Sequence, residues 1–91
     1  MTDREHYYDV DWERQLLVEL VHAVDDFAIE LEENGYRERA MDHRECGESI
    51  DTCDTIVEAF AFMVAHNINM LEAMHLVSLA GMYVHWSVLK Q

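Results

Sequence analysis

Apolar residues recur at helical spacing over the first third of the chain. They follow one another at intervals of three and four residues, at Leu16, Leu20, Val24, Phe27 and Leu31. This spacing is typical of one buried face of an α-helix. Asp9 or Asp11 can cap the start of this helix, and Gly35 after Asn34 favours its end. The pattern therefore predicts a first amphipathic helix that ends near Asn34.

Two further helices are predicted in the middle of the chain. Residues 36–46 read as a short polar helix, and Gly47 is expected to break it. A third helix is then expected from about residue 49 to residue 66. Its apolar face is broad and its polar seam is narrow, which is the pattern of a helix with most of its surface covered.

The last helix is expected to begin after Asn67 or Asn69, because either side chain can cap it. It runs to about Leu89. The chain has 91 residues with no proline and few glycines, so helices are favoured throughout one domain. The sequence predicts an all-α antiparallel bundle of three long helices plus one short helix, as a single domain over residues 1–91.

Charge is distributed unevenly along this predicted bundle. Residues 1–58 hold 18 of the 19 acids, whereas residues 59–91 hold only Glu72 and Lys90 as charged residues. Such an apolar segment belongs either at the centre of a bundle or in a subunit interface. The sequence therefore predicts a homodimer through residues 56–89. The segment is slightly short for a membrane span and contains two histidines, so no span is expected.

The net charge of −13 excludes some classes of partner. Direct binding to nucleic-acid phosphates or to an anionic membrane surface requires basic residues. A basic protein partner is compatible with the charge. The first residues lack the apolar core of a signal peptide, and Cys46 and Cys53 do not form a disulfide framework. We therefore expect a cytoplasmic protein with reduced cysteines.

Two pairs of side chains have the spacing of metal ligands on helices. Glu19 and His22 lie three residues apart on the first predicted helix, and Asp51 and Asp54 lie three apart on the third. If these helices pack side by side, the four side chains can converge on one divalent cation. Mg²⁺ or Mn²⁺ suits such carboxylates.

The same positions resemble motifs of the MazG-like all-α nucleotide pyrophosphohydrolases. The EExxE motif of that family would fall on residues 18–22, and its ExxD motif on residues 51–54. An apolar run then leads to the segment NINMLEA at residues 67–73, which is similar to the family's GIDLEEA turn. The resemblance covers roughly residues 16–73.

The chain departs from these motifs at three positions. Val18, His22 and Asp51 each stand where the family has glutamate, and the lysine that the family places in its last helix is missing. The resemblance implies a metal-dependent nucleoside triphosphate pyrophosphohydrolase, in intact or degenerate form. Glu19, His22, Asp51 and Asp54 would then hold Mg²⁺ or Mn²⁺.

Two further sets of residues partly match the patterns of metal sites. Glu72 and His75 form a Glu-x-x-His pair, which is half of a di-iron set that a homodimer would have to complete. His43 and Cys46 with Cys53 fall short of the four ligands that structural zinc requires. A hydrogen-bonded seam and buried free cysteines are the more ordinary interpretations.

Carboxylates also follow the polar faces of the predicted helices, where they advance by about 5–6 Å per turn. Phosphates along a nucleic-acid strand are spaced on a similar scale. The candidate partner-binding residues are Glu30, Glu33, Glu38, Asp42 and Glu45. In size, charge and helicity the chain resembles small phage-encoded anti-restriction and anti-CRISPR inhibitors.

These observations favour a binding protein over an enzyme. The favoured function is a small acidic interaction module that inhibits a basic nucleic-acid-handling host complex, with nucleic-acid charge mimicry as its mode of binding. No cofactor is expected for this function. The alternative is the MazG-like pyrophosphohydrolase with Mg²⁺ or Mn²⁺. No motif in the sequence is specific enough to identify a reaction.

Overall fold

The chain folds into four α-helices. The computed structural model describes the backbone of residues 2–89 and the side chains of residues 12–86. The helices are α1 (Thr2–Glu33), α2 (Arg37–Ile50), α3 (Ile56–Ala65) and α4 (Met70–Leu89). Because residues 2–89 contain no strand, the prediction of an all-α fold is confirmed.

The long helix α1 is the centre of the fold. It packs along both α2 and α4, whereas no Cα atom of α2 lies within 8 Å of a Cα atom of α4. The largest fully buried side chains come from all four helices and the turn before α4: Leu20, Val24, Cys46, Ile50, Met63, Ile68, Leu76 and Val84. The C-terminal helix was expected at the centre of the bundle or in a subunit interface. α1 occupies the centre, and the interface stays a prediction.

α2 and α4 both run antiparallel to α1. Arg44 of α2 pairs with Glu32 near the end of α1. Residue 51, just after α2, lies beside Arg14 in the first half of α1. Val84, late in α4, lies beside Gln15. The short helix α3 begins beside the first half of α1. There the Glu13 carboxylate accepts a hydrogen bond from the Ile56 backbone N–H at 3.1 Å.

The predicted end of α1 is confirmed, but its predicted start is wrong. Gly35 has a φ of +88°, the left-handed conformation that ends many helices. The helix begins at Thr2, so Asp9 and Asp11 lie inside it and do not cap it. No glycine or proline lies between residue 2 and residue 34, so nothing in the sequence interrupts the helix there.

Gly47 does not end α2, contrary to the prediction. The helix continues through it to Ile50, and Gly47 is buried. A Cβ atom at this position would lie 2.8 Å from the Oδ1 atom of Asp25 on α1. Glycine inside a helix costs up to about 1 kcal/mol relative to alanine. Here it permits the close approach of α1 and α2.

The third helix is shorter than predicted, because residues 51–55 form a turn. The Thr55 side chain caps α3 by accepting a hydrogen bond from the Glu58 backbone N–H at 3.2 Å. Asp51 and Asp54 therefore lie in this turn and not on a helix. With 10 residues α3 is shorter than α2, which has 14, so the short helix of the bundle is the third and not the second.

The two asparagines before α4 have different roles. Asn67 has a φ of 65°, a left-handed conformation that asparagine adopts more readily than most residues, and it ends α3. The Asn69 side chain accepts a hydrogen bond from the Glu72 backbone N–H at 2.8 Å. Of the two predicted caps, Asn69 is the one that caps α4. Within residues 2–89, no helix combines the length and the apolar content that a membrane crossing requires.

Candidate functional site

The five predicted partner-binding acids lie around the α1–α2 hairpin. Glu30 and Glu33 are exposed near the end of α1, and Glu38 and Glu45 are exposed on α2, whereas Asp42 is half-buried. Among the side chains of residues 12–86, none of the five forms an ion pair. The hairpin therefore presents carboxylates that remain available to a cation.

An open cleft lies between α1 and α2. It has a volume of about 540 Å³ and is lined by Val21, Asp25, Ile29, Arg44, Gly47, Glu48 and Asp51. Three carboxylates and two aliphatic side chains therefore share one cavity. A lysine or arginine side chain has matching chemistry, because its stem can pack on apolar surface while its charge meets the carboxylates.

Asp25 is the acid of this cleft whose ionisation is perturbed. Partial burial of its carboxylate raises the pKa of Asp25 above 3.8, and the neighbouring Asp26 adds to the increase, whereas His22 opposes it. The residue as a whole is exposed, but one carboxylate oxygen points at the backbone of Gly47. The ionised form of Asp25 is therefore incompletely solvated, and a cation in the cleft would stabilise it.

Arg44 is the basic residue of the cleft, and its guanidinium donates a hydrogen bond to the Glu32 carboxylate. Both side chains are about half exposed, with 51% and 48% of their surface accessible. An exposed pair of this kind contributes little to stability. The pair engages Arg44 with Glu32, and among residues 12–86 the carboxylates of Asp25, Glu48 and Asp51 form no ion pair.

The four predicted metal ligands are not gathered into one site. On α1, the Nδ1 atom of His22 lies 3.8 Å from the Oε2 atom of Glu19. Asp51 and Asp54 lie instead in the turn between α2 and α3. Among the described residues, no three His, Cys, Asp or Glu side chains are placed to hold one metal ion. Binding of one Mg²⁺ or Mn²⁺ ion by all four would therefore require these segments to rearrange.

A buried histidine links α2 to α4. His43 is 2% exposed, and its Nδ1–H donates a hydrogen bond to the Arg39 carbonyl oxygen at 2.7 Å. Its Nε2 lies 2.6 Å from Oε1 of Glu72. The Arg39 guanidinium donates to Oε2 of the same carboxylate at 3.0 Å, and the Phe27 ring packs against the imidazole with a centroid distance of 5.1 Å.

This network engages atoms that the zinc hypothesis and the di-iron hypothesis require as metal ligands. Both ring nitrogens of His43 have hydrogen-bond partners, so the imidazole is not free to bind zinc with Cys46. Both carboxylate oxygens of Glu72 are also engaged, and His75 is exposed. The network is therefore a structural bridge between helices.

The two cysteines are free thiols. Burial raises the pKa of Cys46 to about 12, and Cys53 adds to the increase. Partial burial also raises the pKa of Cys53, with Glu58 and Asp54 contributing. Because the thiolate is the nucleophilic and metal-binding form, neither cysteine is activated for chemistry.

Sequence reasoning missed the cleft and the His43 bridge for the same reason. The prediction ended the second helix at Gly47, whereas the buried face of α2 continues past this residue. The buried residues of α2 are Ala40, His43, Cys46, Gly47 and Ile50. Their spacing of three and four residues is the signal that could have shown it. The stripe would have placed His43 in the core and Glu48 and Asp51 beside α1.

The fold and the site together define an all-α protein in which a central helix supports an acidic hairpin. No family model, curated protein or solved structure matches the chain. Its function is therefore argued from the charges and contacts of its own residues.

Proposed function

We propose that the chain is a small acidic protein-interaction module of the phage or mobile-element type. It inhibits a basic nucleic-acid-handling host complex, in the manner of anti-CRISPR or anti-restriction proteins. The acidic α1–α2 hairpin occupies a groove that otherwise holds nucleic acid. It acts in the cytoplasm, in keeping with its two free thiols.

The main support is the cleft between α1 and α2, in which Asp25, Glu48 and Asp51 line one cavity. Desolvation of Asp25 leaves its charge incompletely compensated. An arginine or lysine of the partner that enters this cavity supplies the missing countercharge. Such charge-assisted hydrogen bonds are stronger than neutral ones.

The exposed acids of the α1–α2 hairpin support recognition of an extended basic groove. Acids one helical turn apart are separated by about 5–6 Å, and two antiparallel helices present two such rows. The free energy of binding comes mainly from charges that are unpaired in the free protein, so the affinity should fall as salt is added.

Charge reversal on the hairpin tests this proposal. Glu33→Lys with Glu45→Lys changes the net charge by the same amount as Asp54→Lys with Glu58→Lys, which alters the turn before α3 and the start of α3 instead. Each variant is tested for inhibition of DNA binding and cleavage by a panel of purified CRISPR effector and restriction complexes. We expect the hairpin variant to lose inhibition and the matched control to retain it.

A cleft variant sharpens the same experiment. Glu48→Gln removes one charge of the cavity without reversing it, and we expect it to weaken inhibition by about tenfold. Equal losses in the hairpin and control variants, or inhibition that persists at high salt, would contradict charge mimicry. Failure to inhibit any complex of the panel, together with release of pyrophosphate from a nucleoside triphosphate with Mg²⁺ or Mn²⁺, would favour the pyrophosphohydrolase.

The module is also proposed to be a homodimer through residues 56–89. Exposed apolar side chains are frequent in this range, and Leu71 and Val57 are 80% and 78% exposed. Large apolar residues at these positions are unusual for a monomer surface when they adjoin one another. A second copy would remove them from water.

A further inference from the structure

One face of α4 is exposed from residue 71 to residue 86 and carries no Asp, Glu, Lys or Arg. The opposite face packs against α1 with Ala73, Leu76, Ala80 and Val84 fully buried. The exposed face is formed by Leu71, Met74, His75, Ser78, Met82, His85 and Trp86. Within residues 73–86 there is no Asp, Glu, Lys or Arg.

This face is nearly symmetric about Ser78. Met74 and Met82 lie four residues before and after it, and Leu71 and His85 lie seven residues before and after it. A surface that repeats in both directions from its centre can pair with its own copy by a two-fold axis. The central serine is small, which allows two helices to approach closely at the axis.

Charge explains why a second copy is the best occupant. The protein carries a net charge of −13, and all its acids except Glu72 lie on α1, α2, α3 and the turns around them. The Glu72 carboxylate is bonded to Arg39 and His43 of α2. Two copies that met through those surfaces would place acid against acid. Along α4 they can meet without that repulsion, whereas a basic partner gains no electrostatic attraction there.

We propose that two copies associate through the exposed face of α4, with the helices antiparallel and Ser78 at the two-fold axis. Met74 then packs against Met82 of the partner subunit, and Leu71 packs beside His85 of the partner subunit. This inference rests on the proposed homodimer and names its surface and direction. An interface of about 1,000 Å² in total lies at the small end of specific interfaces, so the dimer should dissociate on dilution.

Sedimentation equilibrium over a range of protein concentrations tests the surface. Ser78→Glu places two carboxylates against each other at the axis, and we expect it to raise the dimer dissociation constant by about tenfold or more. Val64→Glu is the matched control, because Val64 is an exposed apolar residue of α3 within the range of the proposed dimer. It should leave the dissociation constant within about twofold of the unmodified protein.

Disulfide formation tests the direction of the helices. Ser78→Cys should form a covalent dimer under mild oxidation, because the two sulfurs lie at the axis. Leu71→Cys should not, since antiparallel pairing separates its two copies by about 20 Å along the helices. The circular dichroism of each variant confirms that it is folded, and the changed side chains are all exposed.

Three results would overturn the inference, and they differ in what they leave standing. An unmodified protein that stays monomeric overturns the dimer itself, while the charge-reversal assay of the hairpin remains an independent test of inhibition. A dimer that Val64→Glu disrupts and Ser78→Glu does not would lie on α3. Cross-linking of Leu71→Cys as fast as that of Ser78→Cys would make the helices parallel.

Discussion

At the scale of single residues, the close contact between Asp25 and Gly47 links packing to electrostatics. Gly47 lets α1 and α2 approach until the Asp25 carboxylate faces the α2 backbone. Desolvation in this position raises the pKa of Asp25. The folded protein thus tolerates a charge in a position where water solvates it poorly. A residue that lowers stability in this way and lines a cavity is a candidate for function.

The raised pKa of Asp25 predicts a pH-dependent gain in stability for Asp25→Asn. The folded state binds the proton of this carboxyl more tightly than the unfolded state does. The stabilisation from that proton is present below the unfolded pKa and is lost as the pH rises through the folded pKa. At pH 7 the ionised carboxylate is therefore unfavourable, and we expect Asp25→Asn to unfold at a higher urea concentration.

The gain should shrink as the pH falls and should vanish well below pH 3.8, where Asp25 is protonated in both the folded and the unfolded state. Glu33→Gln is the control for the general effect of removing one negative charge, since Glu33 is an exposed acid of α1 and is not among the groups that shift the pKa of Asp25. Equal gains for both variants at pH 7 would show that net charge, and not the desolvation of Asp25, determines the effect.

At the scale of helices, α2 and α4 are connected through side chains and not through close backbone packing. His43 and Arg39 of α2 both bond the Glu72 carboxylate of α4, and the Asn69 cap orders the turn in which Glu72 lies. Both hydrogen-bonding atoms of the imidazole and of the carboxylate are used. The network therefore fixes the position of α4 relative to the hairpin, which carries the proposed partner-binding surface.

Glu72→Ala should destabilise the fold by about 2 kcal/mol, because it leaves the buried His43 Nε2 without a partner. Glu38→Ala is a matched control: both glutamates lie in the first turn of a helix, but Glu38 is exposed and unpaired. We expect the control to change the free energy of unfolding by about 0.5 kcal/mol or less. Urea unfolding measures both values, and a double-mutant cycle with His43→Ala isolates the coupling.

Similar losses for the two glutamate variants would mean that the network adds nothing beyond the charge at a helix start. A coupling energy near zero in the cycle would lead to the same conclusion.

The predicted helix boundaries are correct where local chemistry determines them and wrong where packing between helices determines them. The left-handed Gly35 and the Asn69 cap are local signals, and both mark helix ends as expected. Gly47 also looks like a local break, but contact with α1 keeps it inside α2. That one error moved the start of the third helix and placed Asp51 on a helix that does not exist there.

The candidate site divides in the same way. Exposure of the acids follows from their position on the polar faces of α1 and α2, so Glu30 and Glu33 could be predicted to be exposed. The spacing of the residues that α2 buries could have shown which face of α2 meets α1. The size of the cleft depends on how closely α1 and α2 approach, which no periodicity reveals. The burial of His43 depends on Glu72, 29 residues away.

At the scale of the whole molecule, repulsion among acids is the dominant long-range interaction. The chain has 19 acids and only six Lys and Arg residues. Two arginines, Arg39 and Arg44, are bonded to glutamates. Folding brings the remaining acids of the hairpin together, whereas unfolding separates them. The structure therefore combines an apolar core that favours folding with a surface that opposes it.

Added salt should stabilise this protein at neutral pH, because ions screen the repulsion more effectively in the compact state than in the extended one. We expect the free energy of unfolding to rise by about 1 kcal/mol between low and moderate NaCl concentration, as several like-charge pairs each contribute a few tenths. Urea unfolding at a series of NaCl concentrations measures the slope.

The variant with Glu30, Glu33, Glu38 and Glu45 all changed to glutamine separates screening of the hairpin from other effects of salt. If the hairpin is the source of the repulsion, this variant should be more stable at low salt and should respond less to NaCl. An unchanged slope would place the repulsion elsewhere, for example among the acids around α3. The same four changes should also weaken inhibition of a basic complex. Stability and binding affinity would then change in opposite directions. This is the result expected when charges that lower the stability of the fold are retained because function requires them.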